Sequence, residues 1–267
     1  MNYTPAAATR YQIHELLRQF GAEQLDALPA ARTAVEVRHS VYYLAFLAAH
    51  ELRLAQHEPR QAAAEIQEEL DNIRRAWAHA AATANITQLG KSATALTRYY
   101  DLTGLIDECR QELRRAVAAL EATPPASPAE RSEHQSLLSK LLALLASIVI
   151  KQGKFDEGMT LAQRAIDLGR AHGGFEGEVY GWLILGQGLY RKGDYHVART
   201  HFLQGLRLID AYQSHKVTLS LLSDAEYMVH GWLGATESEM SNFAAAQRAF
   251  DQCIARCRQI NNPRAEV

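Results

Sequence analysis

Apolar residues recur along much of this chain with the period of an α-helix. The clearest stripe is formed by Ile66, Leu70, Ile73 and Trp77, which follow one another at intervals of four, three and four residues. Such spacing places the four side chains on one face of a single helix and leaves the other faces to charged residues. Residues 33–56 have a similar period, so we expect a helix there as well.

A second, longer period begins beyond residue 89. Four segments share one order: an apolar or aromatic residue, a small residue three positions later, an apolar or small residue four further on, and a small residue three beyond that. The first residues of this order, called the anchors below, are separated by 49, 40 and 48 residues. The anchors are Ile106, Phe155, Tyr195 and Phe243. Small residues are needed where two helices cross closely, and large ones fill the space towards the next unit.

The third of these segments carries the most complete set of residues. They are Trp182, Leu185-Gly186, Gly193-Asp194-Tyr195, Ala198 and Phe202. In this order they resemble the tetratricopeptide repeat (TPR), a helix–turn–helix unit. The resemblance implies an all-α fold in which helix pairs stack into a right-handed α-α superhelix. The alternative is a chance array of amphipathic helices.

Three sequences in the first eighty residues have a resemblance of their own. They are RYQIHELLRQFGAEQL from Arg10, RHSVYYLAFLA from Arg38 and EELDNIRRAWAHA from Glu68. They resemble the end of the winged-helix domain and the helical connector of STAND-type signalling ATPases, the group of bacterial regulators and NB-ARC resistance proteins. In that family an MHD-like motif, here Ile13-His14-Glu15, places its histidine near the nucleotide. The resemblance thus implies that His14 senses ATP or ADP in a full-length parent protein.

The two resemblances together predict three regions. We expect a winged-helix remnant at residues 1–28, a helical connector hairpin at 29–86, and about four TPR-like repeats at 87–267. The last residues, NNPRAEV from Asn261, look like the opening of another repeat. We therefore expect the array to be truncated at its C-terminal end.

The repeats also imply a binding surface. In this family the concave groove is lined by positions 2, 5, 9, 12 and 13 of the first helix of each unit, counted here from Ser139 and Val179. The implied ligand- or partner-binding residues are Lys140, Ser147, Lys151, Tyr180, Gln187, Tyr190 and Arg191. Lys151 and Arg191 occupy the same repeat position in adjacent units, so both could face an anionic group of a ligand. Ordinary solvated bases are the alternative.

Charge and composition narrow the possible partners. The chain has 28 Lys and Arg against 30 Asp and Glu, and the two signs are interspersed. Binding to nucleic acid requires a clustered basic surface, so we expect none. No apolar run approaches the roughly 20 residues of a membrane span, and no secretion signal precedes the helices. We therefore predict a cytoplasmic protein without a membrane partner.

Motifs that carry chemistry are missing from the sequence. It contains no GxxxxGK[ST] phosphate loop, no GxGxxG, no HExxH and no GxSxG. The glycines of GWLILGQG, residues 181–188, lie within a repeat helix, where Gly186 takes the small position of the repeat. We therefore predict no catalytic residues, no metal site and no cofactor in this chain, so the chain is not expected to be an enzyme.

Two functions remain compatible with these patterns. The first is a sensor domain whose superhelix binds a protein, peptide or small-molecule ligand and relays binding to an ATPase core outside this chain. The second is a stand-alone scaffold or adaptor whose repeats bind a peptide or partner protein without switching.

Overall fold

The computed structural model describes residues 14–56, 58–125, 127–213 and 220–260. Within these ranges every regular element is an α-helix and no strand occurs, so the prediction of an all-α fold is confirmed. Predictions that concern residues 1–13 and 261–267 lie outside the described residues. They include the role of Ile13 in the MHD-like motif and the repeat that would open at Asn261.

Helices account for the N-terminal part of the chain and for the four repeated segments. The N-terminal helices are α1 (Glu15–Asp26), α2 (Pro29–Ala49), α3 (Glu51–Ala55), α4 (Pro59–Glu68) and α5 (Leu70–Ala82). The helix pairs that follow are α6 (Ile86–Thr103) with α7 (Ile106–Ala122), α8 (Pro128–Lys151) with α9 (Phe155–His172), α10 (Phe175–Arg191) with α11 (Tyr195–Gln213), and α12 (Ser220–Glu239) with α13 (Phe243–Gln259). Each anchor is therefore the first residue of the second helix of its pair.

The turn before each anchor has the same backbone conformation. In the first three pairs the residue two positions before the anchor is Gly104, Gly153 or Gly193, with φ between 76° and 83°. This left-handed region is accessible to glycine at little cost because glycine lacks a Cβ atom. In the fourth pair Ser241 occupies the position with φ 60°. Each pair thus has a left-handed turn before its second helix, including the fourth pair, where the residue is a serine.

Both N-terminal helices expected from the apolar period are interrupted. The stripe from Ile66 to Trp77 is fully buried, as predicted, but the helix stops at Glu69, which has φ −105° and ψ 10° and separates α4 from α5. The period in residues 33–56 is likewise broken at His50, between α2 and α3. Apolar spacing survives both interruptions because α2, α3, α4 and α5 all turn their buried sides to the same core.

One hydrophobic core joins the N-terminal helices to the repeats. It extends from Leu44 and Leu47 through Trp77 to Ala165, and a second core includes residues from Ala146 to Ala249. α2 packs on α5 and α6, and α5 packs on α7. The indole Nε1 of Trp77 donates to the carbonyl of Glu112 at 3.3 Å. The connector predicted at residues 29–86 is therefore packed directly on the first helix pair.

Glycine permits the closest approach inside the third and fourth helix pairs. A Cβ atom on Gly186 would lie 2.5 Å from the ring of Phe202, and one on Gly234 would lie 2.7 Å from the ring of Phe250. The two positions are equivalent, since each glycine precedes its anchor by nine residues. The predicted packing role of Gly186 is confirmed.

Glu65 on α4 makes the stability of the N-terminal helices depend on pH. Arg53 donates to both carboxylate oxygens of Glu65, at 2.6 and 2.8 Å, and His50 Nε2 lies 2.8 Å from the same group. The guanidinium hydrogen bond is the main reason that the pKa of Glu65 falls from 4.5 to about 2. Because the folded pKa is depressed, this stabilisation is present above pH 4.5 and is lost as the pH falls towards 2.

Replacing Glu65 by glutamine is expected to flatten the loss of stability between pH 4.5 and 2. The Glu65 side chain is 38% exposed, and solvent screens its ion pair, so the expected contribution is only about 1 kcal/mol. Urea unfolding at several pH values measures it. Glu133→Gln, an exposed position on α8, is the control and should keep the wild-type slope. An unchanged slope in Glu65→Gln would contradict the assignment.

The long helix α8 has the composition of a membrane span in its residues Glu130–Lys151. Their length and hydropathy would suffice to cross a bilayer, but 78% of the most apolar window is buried inside the fold. α8 packs on α7, α9 and α10, as the core helix of a repeat array does.

Candidate binding site on the concave face

The first helices of the four pairs stand side by side and enclose a cavity. α8 packs on α6 and on α10, and α10 packs on α12. Between them lies a cavity of about 370 Å³, to whose wall α3 contributes Leu54 and Ala55. The residues that line it are Leu54, Ala55, Thr94, Thr97, Arg98, Asp101, Leu102, Leu144, Ser147, Lys151, Tyr180, Asp224, Tyr227 and Met228. This volume lies within the range of small-ligand pockets.

Two helices of the cavity wall, α8 and α10, are in close backbone contact. A Cβ atom on Gly177 would lie 2.5 Å from the backbone carbonyl carbon of Ser139 and 2.7 Å from the backbone nitrogen of Lys140. Ser139 itself donates to the carbonyl of Ala165 at 2.6 Å, which ties α8 to α9. Tyr180, one turn beyond Gly177, is thereby brought to the cavity wall.

An ion pair links the first helix pair to the fourth. Arg98 on α6 donates through Nη2 to the carboxylate of Asp224 on α12, and the two side chains are 16% and 18% exposed. Nη1 of Arg98 also donates to the backbone carbonyl of Glu51 at 3.2 Å and lies 3.4 Å from its carboxylate. Arg98 is therefore shared by two carboxylates. Burial is the main cause of the raised pKa of Asp224.

The two predicted lysines lie in different places. Lys151 lines the concave cavity and donates to Asp101 at 2.6 Å. Lys140 lines a separate cavity of about 420 Å³, where its Nζ is 3.0 Å from Glu176 and 3.3 Å from the carbonyl of Gly90. Both ammonium groups are thus neutralised by carboxylates of the fold.

Hydroxyl groups make up much of the remaining polar wall. Ser147 donates to the carbonyl of Leu144 at 2.8 Å, and Thr97 donates to the carbonyl of Ala93 at 2.8 Å. Burial raises the pKa of Tyr180 to about 12 and also raises the pKa of Tyr227. Both phenols therefore stay protonated and can donate hydrogen bonds near neutral pH.

Thr94 is the exception among these hydroxyls. Its side chain is almost completely buried, and its Oγ1 has no hydrogen-bond partner. A buried hydroxyl without a partner costs about 1–3 kcal/mol. Although Thr94 lines the concave cavity, its hydroxyl oxygen is itself buried.

The other predicted groove residues lie outside the concave cavity. Gln187 is buried. The Tyr190 hydroxyl donates to Glu239 at 3.3 Å, and its ring meets that of Trp232 edge-on at 5.3 Å. The guanidinium of Arg191 lies 5.4 Å from the centre of the Trp232 ring. Lys151 and Arg191 thus have different partners, and their proposed joint contact with an anion stays a prediction.

Several cavity residues follow the same positional rule but come from a unit to which it was not applied. Counted from Gly90 in the first unit, positions 5, 9 and 12 are Thr94, Arg98 and Asp101. Extending the 49-residue spacing backwards would have found them. Asp224 lies before the first counted position of the fourth unit, so the rule does not identify it.

His14 lies at the other end of the described chain. Its side chain is exposed, and its Nδ1 accepts a hydrogen bond from the backbone N–H of Leu16 at 3.3 Å, which caps α1. A nucleotide-sensing role for His14 stays a prediction of the resemblance.

Comparison with known proteins finds similar folds among solved structures. No protein-family model and no curated protein sequence matches the chain. Among solved structures, it is similar to BtubC (BKLC) from P. vanneervenii, with a TM-score of 0.53, 16% identity, and coverage of 84% of this chain and 92% of that one. The predicted all-α, TPR-like superhelix is confirmed by this similarity of fold.

Two further structures match at lower scores. One contains kinesin light chain TPR-like repeats from Podosopora anserina, with a TM-score of 0.46, 18% identity, and coverage of 79% of this chain and 97% of that one. The other is the apo form of RapI, with a TM-score of 0.46, 14% identity, and coverage of 84% and 66%. None of these descriptions names an enzyme or a STAND-type ATPase.

Proposed function

We propose that this chain is a non-catalytic binding module whose concave cavity receives a segment of a partner protein or peptide. One observation carries the proposal: the first helices of all four pairs contribute side chains to a single cavity. Its wall combines apolar side chains with hydroxyls and charged groups, which is the composition of sites that fix the orientation of a ligand. The cytoplasmic location predicted from the sequence belongs to the same proposal.

The sensor function is a narrower form of this proposal. In it, binding on the concave face is relayed to an ATPase core outside this chain, and His14 belongs to the restraint on that core. Support comes from the resemblance of residues 10–25 to the end of a winged-helix domain. A phosphate-binding loop upstream in the same open reading frame would favour the sensor over the adaptor.

A bulkier side chain in the cavity wall is expected to weaken binding. Peptides selected from a random display library on the wild-type chain should lose at least about tenfold in affinity, or 1.4 kcal/mol, for Leu102→Trp. Leu102 lines the cavity, and an indole there would take up part of the space that a peptide needs. Affinities are measured by fluorescence anisotropy of labelled peptides.

The matched control is Leu105→Trp. Leu105 lies three residues away in the turn between α6 and α7, outside the cavity, and is exposed. It should change affinity by less than about twofold, and both variants should keep the helical circular-dichroism spectrum. Equal losses in both variants, or none in Leu102→Trp, would refute binding in the concave cavity.

A further inference from the structure

Exposed apolar side chains are concentrated in the first two helices. Thirteen large apolar residues are exposed in the described chain, and eight of them lie within residues 16–42. Single exposed apolar residues are normal on a protein surface, whereas a group of them marks a site of interaction. Neither α1 nor α2 lines the concave cavity. A partner of these helices would therefore be separate from whatever the cavity binds.

The exposed apolar residues of α1 lie on one side of that helix. Leu16, Leu17 and Phe20 are 67%, 64% and 59% exposed. At 100° per residue they fall within about 100° of the helix circumference, and we call them the α1 face. Glu23, which follows Phe20 by three residues and Leu16 by seven, borders this face and is exposed.

The exposed side of α2 carries a stripe of smaller apolar residues. The stripe consists of Ala30, Ala34, Val37, Val41 and Ala45, all exposed and separated by four, three, four and four positions. Small side chains allow the axis of a second helix to approach closely, and larger side chains of that helix then fill the grooves. The α2 stripe is about 22 Å long and α1 about 18 Å, so the α1 face matches the stripe in length as well as in shape.

The two surfaces also differ in charge. α1 contains three acidic residues and one arginine, whereas α2 contains two arginines and one acidic residue. Arg38 is exposed and borders the α2 stripe, three residues before Val41. Within the described residues, neither the Arg38 nor the Glu23 side chain forms an ion pair. An apolar face with a free carboxylate at its edge and one with a free guanidinium at its edge are electrostatically complementary.

We propose that a second copy of this chain covers these surfaces, with the α1 face of each copy packed on the α2 stripe of the other. The two copies are related by a two-fold axis, so the same contact is made twice. In each contact Glu23 of one copy pairs with Arg38 of the other. The dimer goes beyond the proposed function, because it uses no residue of the concave cavity.

The exposed area is sufficient for a stable dimer. At roughly 200 Å² for a fully exposed residue of this size, the α1 face with Val37 and Val41 exposes more than about 500 Å² per copy. The three alanines of the stripe, together with Glu23 and Arg38, raise this to roughly 800 Å². That is the area which one partner contributes to an interface of standard size.

Sedimentation equilibrium of the whole chain tests the proposal. At about 50 μM the wild-type chain should have twice the monomer mass of 29.7 kDa. Val41→Lys should weaken the dimer at least about tenfold, because it places an ammonium group in the apolar contact. The matched control is Val197→Lys, since Val197 on α11 is 42% exposed and Val41 is 49% exposed. The control should change the dissociation constant by less than about twofold.

The same comparison applies to α1. Phe20→Lys should weaken the dimer at least about tenfold, whereas Phe243→Lys on α13 should change it by less than about twofold. Phe243 is 71% exposed and Phe20 is 59% exposed, so both variants should keep the helical circular-dichroism spectrum. Equal effects of a variant and its control would overturn the assignment of the interface.

Reversal of charge tests the contact between copies. Glu23→Arg and Arg38→Glu should each weaken the dimer at least about fivefold, because each places like charges together at both symmetric contacts. The double variant should return to within about twofold of the wild-type dissociation constant. An equimolar mixture of the two single variants should also dimerise about as tightly as the wild type, since both contacts then join opposite charges.

Rescue in the mixture is the sharpest outcome, because only a pair between different copies can be restored in this way. Weakening by the single variants without rescue would overturn the pairing of Glu23 with Arg38. A chain that stays at 29.7 kDa up to about 200 μM would overturn the second copy as the occupant of these surfaces. If Val41→Lys fails to fold, the charge-reversal set still decides. Peptide binding in the concave cavity should be the same in monomeric variants, so the two proposals can fail separately.

Discussion

Replacing Trp77 by alanine is expected to lower the free energy of unfolding by about 4 kcal/mol. The indole is completely buried in the core that joins the N-terminal helices to the first repeat, and its N–H donates across the interface to the carbonyl of Glu112. Alanine would leave a large cavity between α5 and α7 and remove that hydrogen bond. No other tryptophan is as deeply buried in the described chain.

Urea unfolding followed by circular dichroism measures this loss. Tyr42→Ala, a large aromatic residue on α2 that is 65% exposed, is the control and should cost less than about 1 kcal/mol. Fluorescence of the remaining tryptophans, Trp182 and Trp232, reports on the third and fourth units in the same experiment. A loss below about 1 kcal/mol in Trp77→Ala would contradict the shared core.

Replacing Gly177 by alanine is expected to cost about 3 kcal/mol, although alanine normally favours a helix. The added methyl group would meet the backbone of Ser139 and Lys140 at 2.5–2.7 Å. A main chain within a packed helix cannot rotate away as the end of a side chain can. α10 must therefore move away from α8, which also opens the concave cavity.

Gly205→Ala is the matched control because Gly205 is a buried helical glycine with room for a methyl group. Its nearest neighbours would be the side chains of Trp182 and Val229 at 3.7 and 3.8 Å, which is ordinary contact. This variant should be stabilised by up to about 1 kcal/mol. Thermal unfolding compares the two, and a Tm for Gly177→Ala at or above the wild-type value would refute the close helix contact.

Much of the repeat array could be predicted from the sequence because its rules are local. The anchors mark helix starts, since each follows a left-handed turn that glycine or Ser241 supplies. The Leu-Gly pairs predict tight crossings, and the structure places Phe202 and Phe250 against Gly186 and Gly234. Residue type and spacing are sufficient where a feature depends on one turn or one crossing.

Features that depend on distant parts of the chain were not predictable in this way. Val37 and Val41 follow the apolar period of α2, yet they are 43% and 49% exposed, whereas Ser40 in the same turns is buried and donates to the carbonyl of Ala76. The partners of Lys151 and Arg191 depend on which acid or ring the neighbouring helix presents. A repeat position identifies the face of a helix, not the charge that will meet it.

In an open stack of repeats each unit touches only its neighbours, so the end units can unravel one at a time. The contact between Arg98 and Asp224 joins two residues 126 positions apart in the chain. Opening of α6 therefore also releases a contact of α12, and the two helices lose part of their independence. We therefore expect α6 and α12 to open in the same local unfolding events, so that their amide protons exchange with solvent at similar rates.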